Sequence, residues 1–580
     1  MSEPAETTAT GLIEDQYSDW YGFDTENDEN GVVTLTALVH ESGNRSVFKG
    51  AGHLMKRVKE GRLGKRPVII CHNLEYDLVN EFGVNEYSMM ALNYLKGRLI
   101  SAKLNNCRFL DSFNHFRMSL LDLGTALGIA KLEMDIHDPN YVSQDAWICL
   151  KAMTQARDYI SSLGGRIGAT SGSSAMTIWR YMTDDEYMTG PIDTPWLRKG
   201  YYGGRTEIFR PHTECPPDGE TGLRLKEIRG YDINSMYPFC MLNEYPESLI
   251  EDPGLDKGKG MGEVTISLPV DIFYAPLPHR TASDELWYPV GVFRGVWTYD
   301  EIRRAESMGG HIIKVHKAYG GNVMCRPFNQ FIHTLYAKRK VCTDDAEKLF
   351  LKVLMNALYG KIASRNQVTR TVSRYNLLQK KDKRIEDVKW ITYNRGLLDY
   401  FTPQQPYVNV CWGSMVTAYA RLLLHKYLLE VPPEKAIYCD TDSIYCINHL
   451  MMDGKELGQM KLEQTASIMT VVQPKAYRLD DFYKAKGVPK AKRNEDGEIV
   501  LDYAKQYIEQ GFTEFQAPIR FRASINSKRG VANQWVRHTK GRKTNYQSKR
   551  LSGDRYLPPV IGQQLDLGLT ATKRGKLTAV

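Results

Sequence analysis

Short apolar runs separated by polar, glycine-bearing clusters open the chain. Trp20–Glu26 reads as a strand, and the polar cluster NDENG (27–31) turns it into a second strand, VVTLTALV (32–39). Val68–Cys71 is a continuous apolar run, the pattern of a buried strand, and leads through a polar loop into a helix from Leu74. Helical spacing covers 141–162. A Gly/Ser/Thr-rich loop (164–174) and the glycine-marked KGYYGGR (199–205) follow, placing a domain boundary between about 165 and 200. Residues 213–224 read as a surface loop, and 245–330 as short strands punctuated by proline and glycine. Helical patterning returns over 328–363, the charged stretch 366–408 resembles an insertion, and a strand–turn–strand unit centres on Asp440. There is no internal repeat and no low-complexity tract.

Composition narrows the class. At 580 residues, with 42% hydrophobic and 25% charged positions, the chain is an ordinary globular protein of about three to five folding units. No apolar run approaches the ~18 residues of a membrane span. The acidic, polar start predicts neither a signal nor a transit peptide. Ten cysteines without a CxxC pair argue against zinc or a disulfide framework and suit a reducing cytoplasm. The net charge of +8 is unevenly placed: residues 1–30 carry nine acids and no Lys or Arg, whereas 481–580 hold 20 Lys/Arg against nine acids. Arg520–Arg550 contains ten Lys/Arg and no acid, interleaved with Phe521, Trp535 and Tyr546. That run is either a solvated tail or a surface for a phosphate backbone.

Two groups of carboxylates carry candidate chemistry. The first comprises Asp24 and Glu26, on one face of a strand; Asp77, just after a buried strand; and Asp145, one helical turn after Tyr141. Four carboxylates on three elements could hold two divalent metals, and hard oxygen ligands favour Mg²⁺ or Mn²⁺. In the second group, Asp232 ends a short apolar strand, and Asp440 and Asp442 share a face of the tight turn in IYCDTDSIYC. Burying three acids without cations would cost several kcal/mol each, so they are exposed or neutralised by metal. Between the two lies KLFLKVLMNALYGKIAS (348–364). Leu349, Phe350, Val353, Leu354 and Leu358 are expected to face inward, and Lys352, Asn356 and Tyr359 to form a polar stripe. A lysine there can neutralise a triphosphate, and a tyrosine offers a flat surface to a base.

In this order YDINSMYP (231–238), KVLMNALYG (352–360) and YCDTDS (438–443) resemble the three polymerase motifs of family B DNA polymerases. DTE at 24–26, NLEYD at 73–77 and YVSQD at 141–145 resemble the family's proofreading exonuclease motifs. Tyr201-Tyr202-Gly203-Gly204 is similar to its YxGG loop, Ser119–Leu123 to its single-strand-binding motif, and Lys475-Ala476-Tyr477 to its KxY motif. Compact size, with 113 residues between Pro238 and Lys352 and a further insertion of about 45, resembles the protein-primed branch of phages, adenoviruses and linear plasmids.

The resemblance implies an α/β and α+β multidomain fold: a ribonuclease-H-like 3′-5′ exonuclease domain and a right-hand polymerase with two inserts. The segments would be exonuclease 1–170, palm 171–244, a terminal-protein-contacting insert 245–327, fingers 328–363, a processivity and strand-displacement insert 364–408, palm 409–507 and a basic thumb 508–580. Two Mg²⁺ or Mn²⁺ ions per active site are implied, held by Asp232 and Asp442 with support from Asp440, and by Asp24, Glu26, Asp77 and Asp145 beside Tyr141. Lys352, Asn356, Tyr359, Tyr237 and Lys348 would meet the nucleotide, Tyr237 excluding a 2′-hydroxyl. Lys475 and Tyr477 would grip the primer; Asn73, Tyr76, Ser119 and Leu120 would hold a frayed 3′ end, with Lys131 as a helper. Tyr201, Gly203 and Gly204 would contact DNA, although the glycines could equally make a turn, and Ser119-Leu120 could be partly core. Arg339, Lys340 and Lys348 could meet the triphosphate or form a solvated helix face. Ala357 stands where the family usually has serine. Implied partners are template–primer DNA, deoxynucleoside triphosphates and a terminal protein, with a monomeric, cytoplasmic enzyme and no membrane. An ordinary primer or none, and a degenerate DNA-binding scaffold, are the alternatives; intact carboxylates in both groups disfavour the scaffold. As a docking insert, 245–330 is expected to be removable without loss of DNA-primed extension.

Overall fold

The computed structural model describes residues 19–541 except 29, 96–97, 184–186, 188–191, 218–225, 282–283, 365–368, 374–389, 395–396, 402–406, 449–453, 490, 494–497 and 519–534. Most of the basic run Arg520–Arg550 and most of the expected thumb therefore lie outside the described residues.

Trp20–Asn27 is central to the first sheet, antiparallel to Val33–His40 and parallel to Val68–Cys71. Arg45–Lys49 extends one side; Cys107–Asp111, Arg98–Leu104 and Ala91–Leu95 extend the other. A first strand between antiparallel neighbours on one side and parallel ones on the other is the ribonuclease-H-like arrangement. Helix Pro139–Ser162, with Asp138 as its N-cap and proline at the start, lies across this sheet. Their approach is close: a Cβ on Gly22 would stand 2.1 Å from the Ala146 carbonyl oxygen. At the far edge Thr369–Ser373 pairs with Ala91–Leu95, and Leu397–Phe401 and Trp390–Asn394 follow. Part of the second insertion thus continues the N-terminal sheet.

A five-stranded sheet runs in the order Met460–Ala466, Ile228–Ile233, Ser443–Ile447, Ala436–Asp440, Thr206–Ile208. Helix Val410–Leu429 is buried nearly all round and packs on Met236–Met241 and Asp345–Ile362, as an apolar helix must. One apolar core runs from Trp20 and Ile148 through Ile332 and Leu354 to Met415 and Cys439.

Several expectations change. Residues 245–330 hold three long strands besides the expected short ones: Lys259–Leu268, Gly291–Thr298 and His311–Gly321, joined by Ile250–Glu251 in a four-stranded antiparallel sheet with helix Tyr299–Ser307. The glycines that suggest breaks are packing sites; a Cβ on Gly260 would lie 2.2 Å from the Tyr319 oxygen. The loop over 164–174 ends early because Thr170 and Ser173 form a capping box that starts helix Ser171–Met182. The surface loop expected from 213 begins inside a strand, His212–Glu214, paired with Ile468–Gln473. Helical residues 328–363 divide into Asn329–Val341 and Asp345–Ile362, the second capped by Asp344. Its inward face is Phe350, Leu351, Leu354, Met355 and Leu358; Leu349 and Val353 are half-buried. All ten cysteines are free thiols. Among the described residues no helix is long and apolar enough to cross a membrane.

Two candidate active sites

The first group assembles on the N-terminal sheet. One oxygen each from Asp24, Glu26 and Asp145 lie within 4.8 Å of one another. Asp77, in the first turn of helix Leu74–Met89, stands beside Asp24 without joining that trio; it accepts a hydrogen bond from Thr25 Oγ1 at 2.9 Å. Burial pushes Asp24 and Asp77 well above the carboxylate range, helped at Asp24 by Asp77 and Glu26 and at Asp77 by Asp111 and Glu26, and it raises Glu26 to about 7, with Asp145 next. Asp77 Oδ2 and Asp145 Oδ1 are buried without a hydrogen-bond partner. Hard oxygen donors, crowded together and incompletely paired, fit a divalent cation.

Lys131 supplies the cation of this site. Its Nζ bonds Asp145 Oδ2 and donates to the Tyr141 hydroxyl at 3.1 Å, with the ammonium 4.4 Å from the phenol ring centre. Nothing in its spacing distinguishes it from other lysines in the sequence. Asn73, at φ 82, is exposed and heads the helix that bears Asp77; its backbone N–H donates to Asp111 Oδ1 at 3.0 Å. Tyr76 is half-buried on the same turn. Ser119 is exposed and caps helix Leu120–Ala126 through the Asp122 N–H, and Leu120 is half-buried against the core.

In the second group, Asp232 faces Ser443 across the sheet, and the Ile233 N–H donates to the Asp442 carbonyl at 2.8 Å. That register brings Asp232 beside the acidic turn. Burial, then Asp442, raises the Asp232 carboxyl to about 7, and burial raises Asp442; Lys352 pulls both down. Lys484 also lowers Asp232 while Glu463 raises it; neither is distinguished in the sequence. Asp440 is held differently: its Oδ1 accepts from Lys475 Nζ at 2.5 Å, Thr441 Oγ1 at 3.1 Å and Thr206 Oγ1 at 3.2 Å. Lys475 therefore spends its ammonium on the acidic turn. Tyr477 is 4% exposed and shares a 3.1 Å hydrogen bond with Tyr445, so it is a packing residue of this face.

Above the acids Tyr237 stacks on Tyr359, centroids 4.3 Å apart at 12°. Lys352 is exposed, and Asn356 bonds back to the Lys352 carbonyl at 2.8 Å. Arg339 reaches Ser235 Oγ at 3.2 Å, next to Asp232, whereas Lys340 pairs with Glu456 and Lys348 with Asp345 at the surface. Of those three cations Arg339 is the one directed at the site. Gly204 is required by packing, since a Cβ there would stand 2.8 Å from Thr441; at Gly203 a Cβ would meet nothing within 4 Å. Tyr201 is half-buried beside them.

The family model described as DNA polymerase type B, organellar and viral, matches residues 129–392. Over that stretch, a little under half of its length, the chain is similar to the type B DNA polymerases of organelles and viruses. It is 27% identical over 317 residues to a "Probable DNA polymerase" of Ascobolus immersus, covering 50% of this chain and 25% of that one. It is 22% identical over 443 residues to the DNA-directed DNA polymerase of Enterobacteria phage PRD1, covering 68% and 70%. The chain thus spans about a quarter of the Ascobolus relative's length. In fold it is similar to Phi29 DNA polymerase, solved with primer–template DNA and incoming nucleotide, with a TM-score of 0.65 at 14% identity over 90% of this chain and 99% of that one.

Proposed function

We propose that the protein is a template-directed DNA polymerase with a 3′-5′ proofreading exonuclease, started from a terminal-protein hydroxyl. The observation that carries the reading is the presence, on one chain, of two separate buried carboxylate groups. One sits beneath a stacked tyrosine pair and a lysine-bearing helix; the other surrounds a lysine–tyrosine contact. Divalent cations, Mg²⁺ or Mn²⁺, would activate the attacking oxygen and steady the leaving group when bound.

In the polymerase site Asp232 and Asp442 hold the metals, and Asp440, fixed by Lys475, keeps their turn in place. Lys352 and Arg339 neutralise the triphosphate, Asn356 and Tyr359 frame the base, and Tyr237 closes the space beneath the sugar. In the exonuclease site Asp24, Glu26, Asp77 and Asp145 hold the metals. Tyr141 orients the attacking water, with Lys131 fixing its hydroxyl. Asn73, Tyr76, Ser119 and Leu120 line the path of the unpaired 3′ end. The segments keep the division given by the motifs: exonuclease to 170, palm in two parts, fingers 328–363, inserts 245–327 and 364–408, and thumb from 508.

The test is extension of a labelled primer on template with Mg²⁺, alongside degradation of a single strand. Asp442→Ala should lose the first and keep the second; the Asp24→Ala/Glu26→Ala variant should do the reverse. Parallel loss of both activities in either variant would overturn the two-site reading. Incubation with a candidate terminal protein and labelled deoxynucleotide tests the primer. A covalent protein–nucleotide adduct is expected, and efficient DNA-primed synthesis without an adduct across several partners would favour an ordinary primer.

A further inference from the structure

The loop Tyr201–Arg205 is gripped from below by two arginines that are almost wholly buried. Arg421, on helix Val410–Leu429, is 2% exposed and its partner Glu301 is fully buried. Arg421 Nε and Nη2 donate to Glu301 Oε1 at 2.9 and 2.7 Å, and Nη1 donates to the carbonyls of Tyr202 and Gly203 at 2.9 and 3.0 Å. Glu301 is itself fixed, its other oxygen accepting from the Thr298 backbone N–H and hydroxyl in a capping box. Arg205, at the loop's other end, is 1% exposed; it pairs with Glu207, donates to the Ala275 carbonyl at 2.9 Å, and lies 4.1 Å from the Tyr288 ring centre. Tyr202 is part of the apolar cluster of the 259–321 sheet, with Val264, Ile266 and Trp297.

The upper side of the loop is the acidic turn. The Thr441 N–H donates to the Arg205 carbonyl at 2.7 Å, and Gly204 packs against the Thr441 side chain. Thr441 stands between Asp440 and Asp442 with φ 64, a backbone that a β-branched residue holds only when its surroundings enforce it.

We infer that Arg421 and Glu301 are positioning residues for nucleotide addition: they let the first insert set the height of the Tyr201–Arg205 loop, and the loop sets the Asp440–Asp442 turn. Neither side chain touches substrate. The inference rests on the polymerase reading and adds that segment 245–327 is a structural member of the active site as well as any docking surface it offers. Four hydrogen bonds from one guanidinium, two to Glu301 and two to successive carbonyls, make a geometry lysine's single ammonium cannot reproduce.

The experiment uses the full chain and three proteins: wild type, Arg421→Lys, and the Arg421→Met/Glu301→Gln double variant. The double variant removes both buried charges together, which folds tolerate far better than an orphaned one, and glutamine keeps an acceptor for the cap. Single-nucleotide addition gives kcat and the deoxynucleotide KM, a single-stranded oligonucleotide gives exonuclease activity, and thermal melting reports folding. Sub-ångström displacement of the acidic turn should lower kcat roughly ten- to a hundredfold with KM little changed, and leave the exonuclease within about twofold. Arg421→Lys should lie between. Should the double variant not fold, Arg421→Lys carries the test with the same readouts. Wild-type kcat in a folded variant, or equal loss of both activities, overturns the inference. Wild type that fails to extend a primer overturns the polymerase reading instead.

Discussion

Lys131→Met is the sharpest test of the exonuclease site, because that lysine is the cation that holds both Tyr141 and Asp145 there. Methionine keeps the stem's bulk and removes the ammonium. Asp145 is 5% exposed, and one of its oxygens already lacks a partner, so the substitution leaves a buried carboxylate with no cation on it and removes the ammonium from the Tyr141 hydroxyl. A hydrogen bond to a charged group is worth about 1.5–3 kcal/mol. If that stabilisation acts fully in the transition state, single-strand degradation slows roughly ten- to 150-fold at one decade per 1.36 kcal/mol. The pH dependence follows. Asp145 is already raised by burial and held down by Lys131, so loss of Lys131 raises it further. The ionised carboxylate is the metal-binding form, so the acid limb of the rate profile should move to higher pH and part of the lost rate should return as pH rises. The assay is degradation of a 5′-labelled single strand from about pH 6 to about pH 9 in saturating Mg²⁺, with primer extension as control. An unmoved acid limb, or a matching loss of extension, would refute the assignment.

Asp232→Ala should abolish nucleotide addition while retaining the exonuclease, as measured by extension and degradation of one labelled primer with and without deoxynucleotides. Tyr237→Val breaks the 4.3 Å stack on Tyr359 and opens the space beneath the sugar, so ribonucleotide discrimination should fall while deoxynucleotide addition remains measurable; an unchanged ratio would make Tyr237 a core residue only. Metal-free protein should lose stability as pH rises from about 4 towards 7, because Asp232 and Glu26 titrate near 7 when folded and near 4 when unfolded, so the folded state binds the extra protons in that window. Added Mg²⁺ should raise the melting temperature most above pH ~7, as read by a melting series with and without chelator. Deleting 245–327 removes Glu301 from buried Arg421, and the Ala275 carbonyl and Tyr288 ring from Arg205, so loss of soluble folded protein is expected, contrary to the removable module the sequence suggests.

Elements whose own residues carry the signal were legible in the sequence. The apolar run Val68–Cys71 is the strand it predicts, and IYCDTDSIYC folds as strand, acidic turn and strand because alternation and turn chemistry agree. Asp24 and Glu26 share a face by strand period alone, and Tyr141 and Asp145 meet by helical period. Longer-range partnerships were not legible. Lys131 reaches Asp145 only because the loop after helix Leu120–Ala126 folds back, Lys484 acts on Asp232 from another sheet, and Arg421 is one arginine in a mostly apolar helix. Glycine misleads for a related reason: in 245–330 it permits close strand and ring contacts, yet in sequence it reads as a break.

The same distinction separates three neighbouring acids that residue pattern leaves equivalent, although the family resemblance already ranks Asp440 as support. Asp440 and Asp442 are two residues apart, and Asp232 lies opposite their turn, so pattern gives each an equal claim on a metal. Asp440 directs one oxygen, Oδ1, to an ammonium and two hydroxyls. Asp232 is raised by burial and then by Asp442, and Asp442 by burial and then by Asp440; the one lysine that lowers both, Lys352, is exposed on a separate helix. A carboxylate with its donors in place gains little from a cation, whereas two that repel each other gain the most. Lys475 therefore selects which acids remain available: by occupying Asp440 it leaves the Asp232–Asp442 pair as the place where positive charge is worth most. Lys475→Met should free Asp440 to compete for the cation, so Mg²⁺ affinity and kcat should change together; a change in DNA affinity alone would return Lys475 to the primer-gripping role its motif implies.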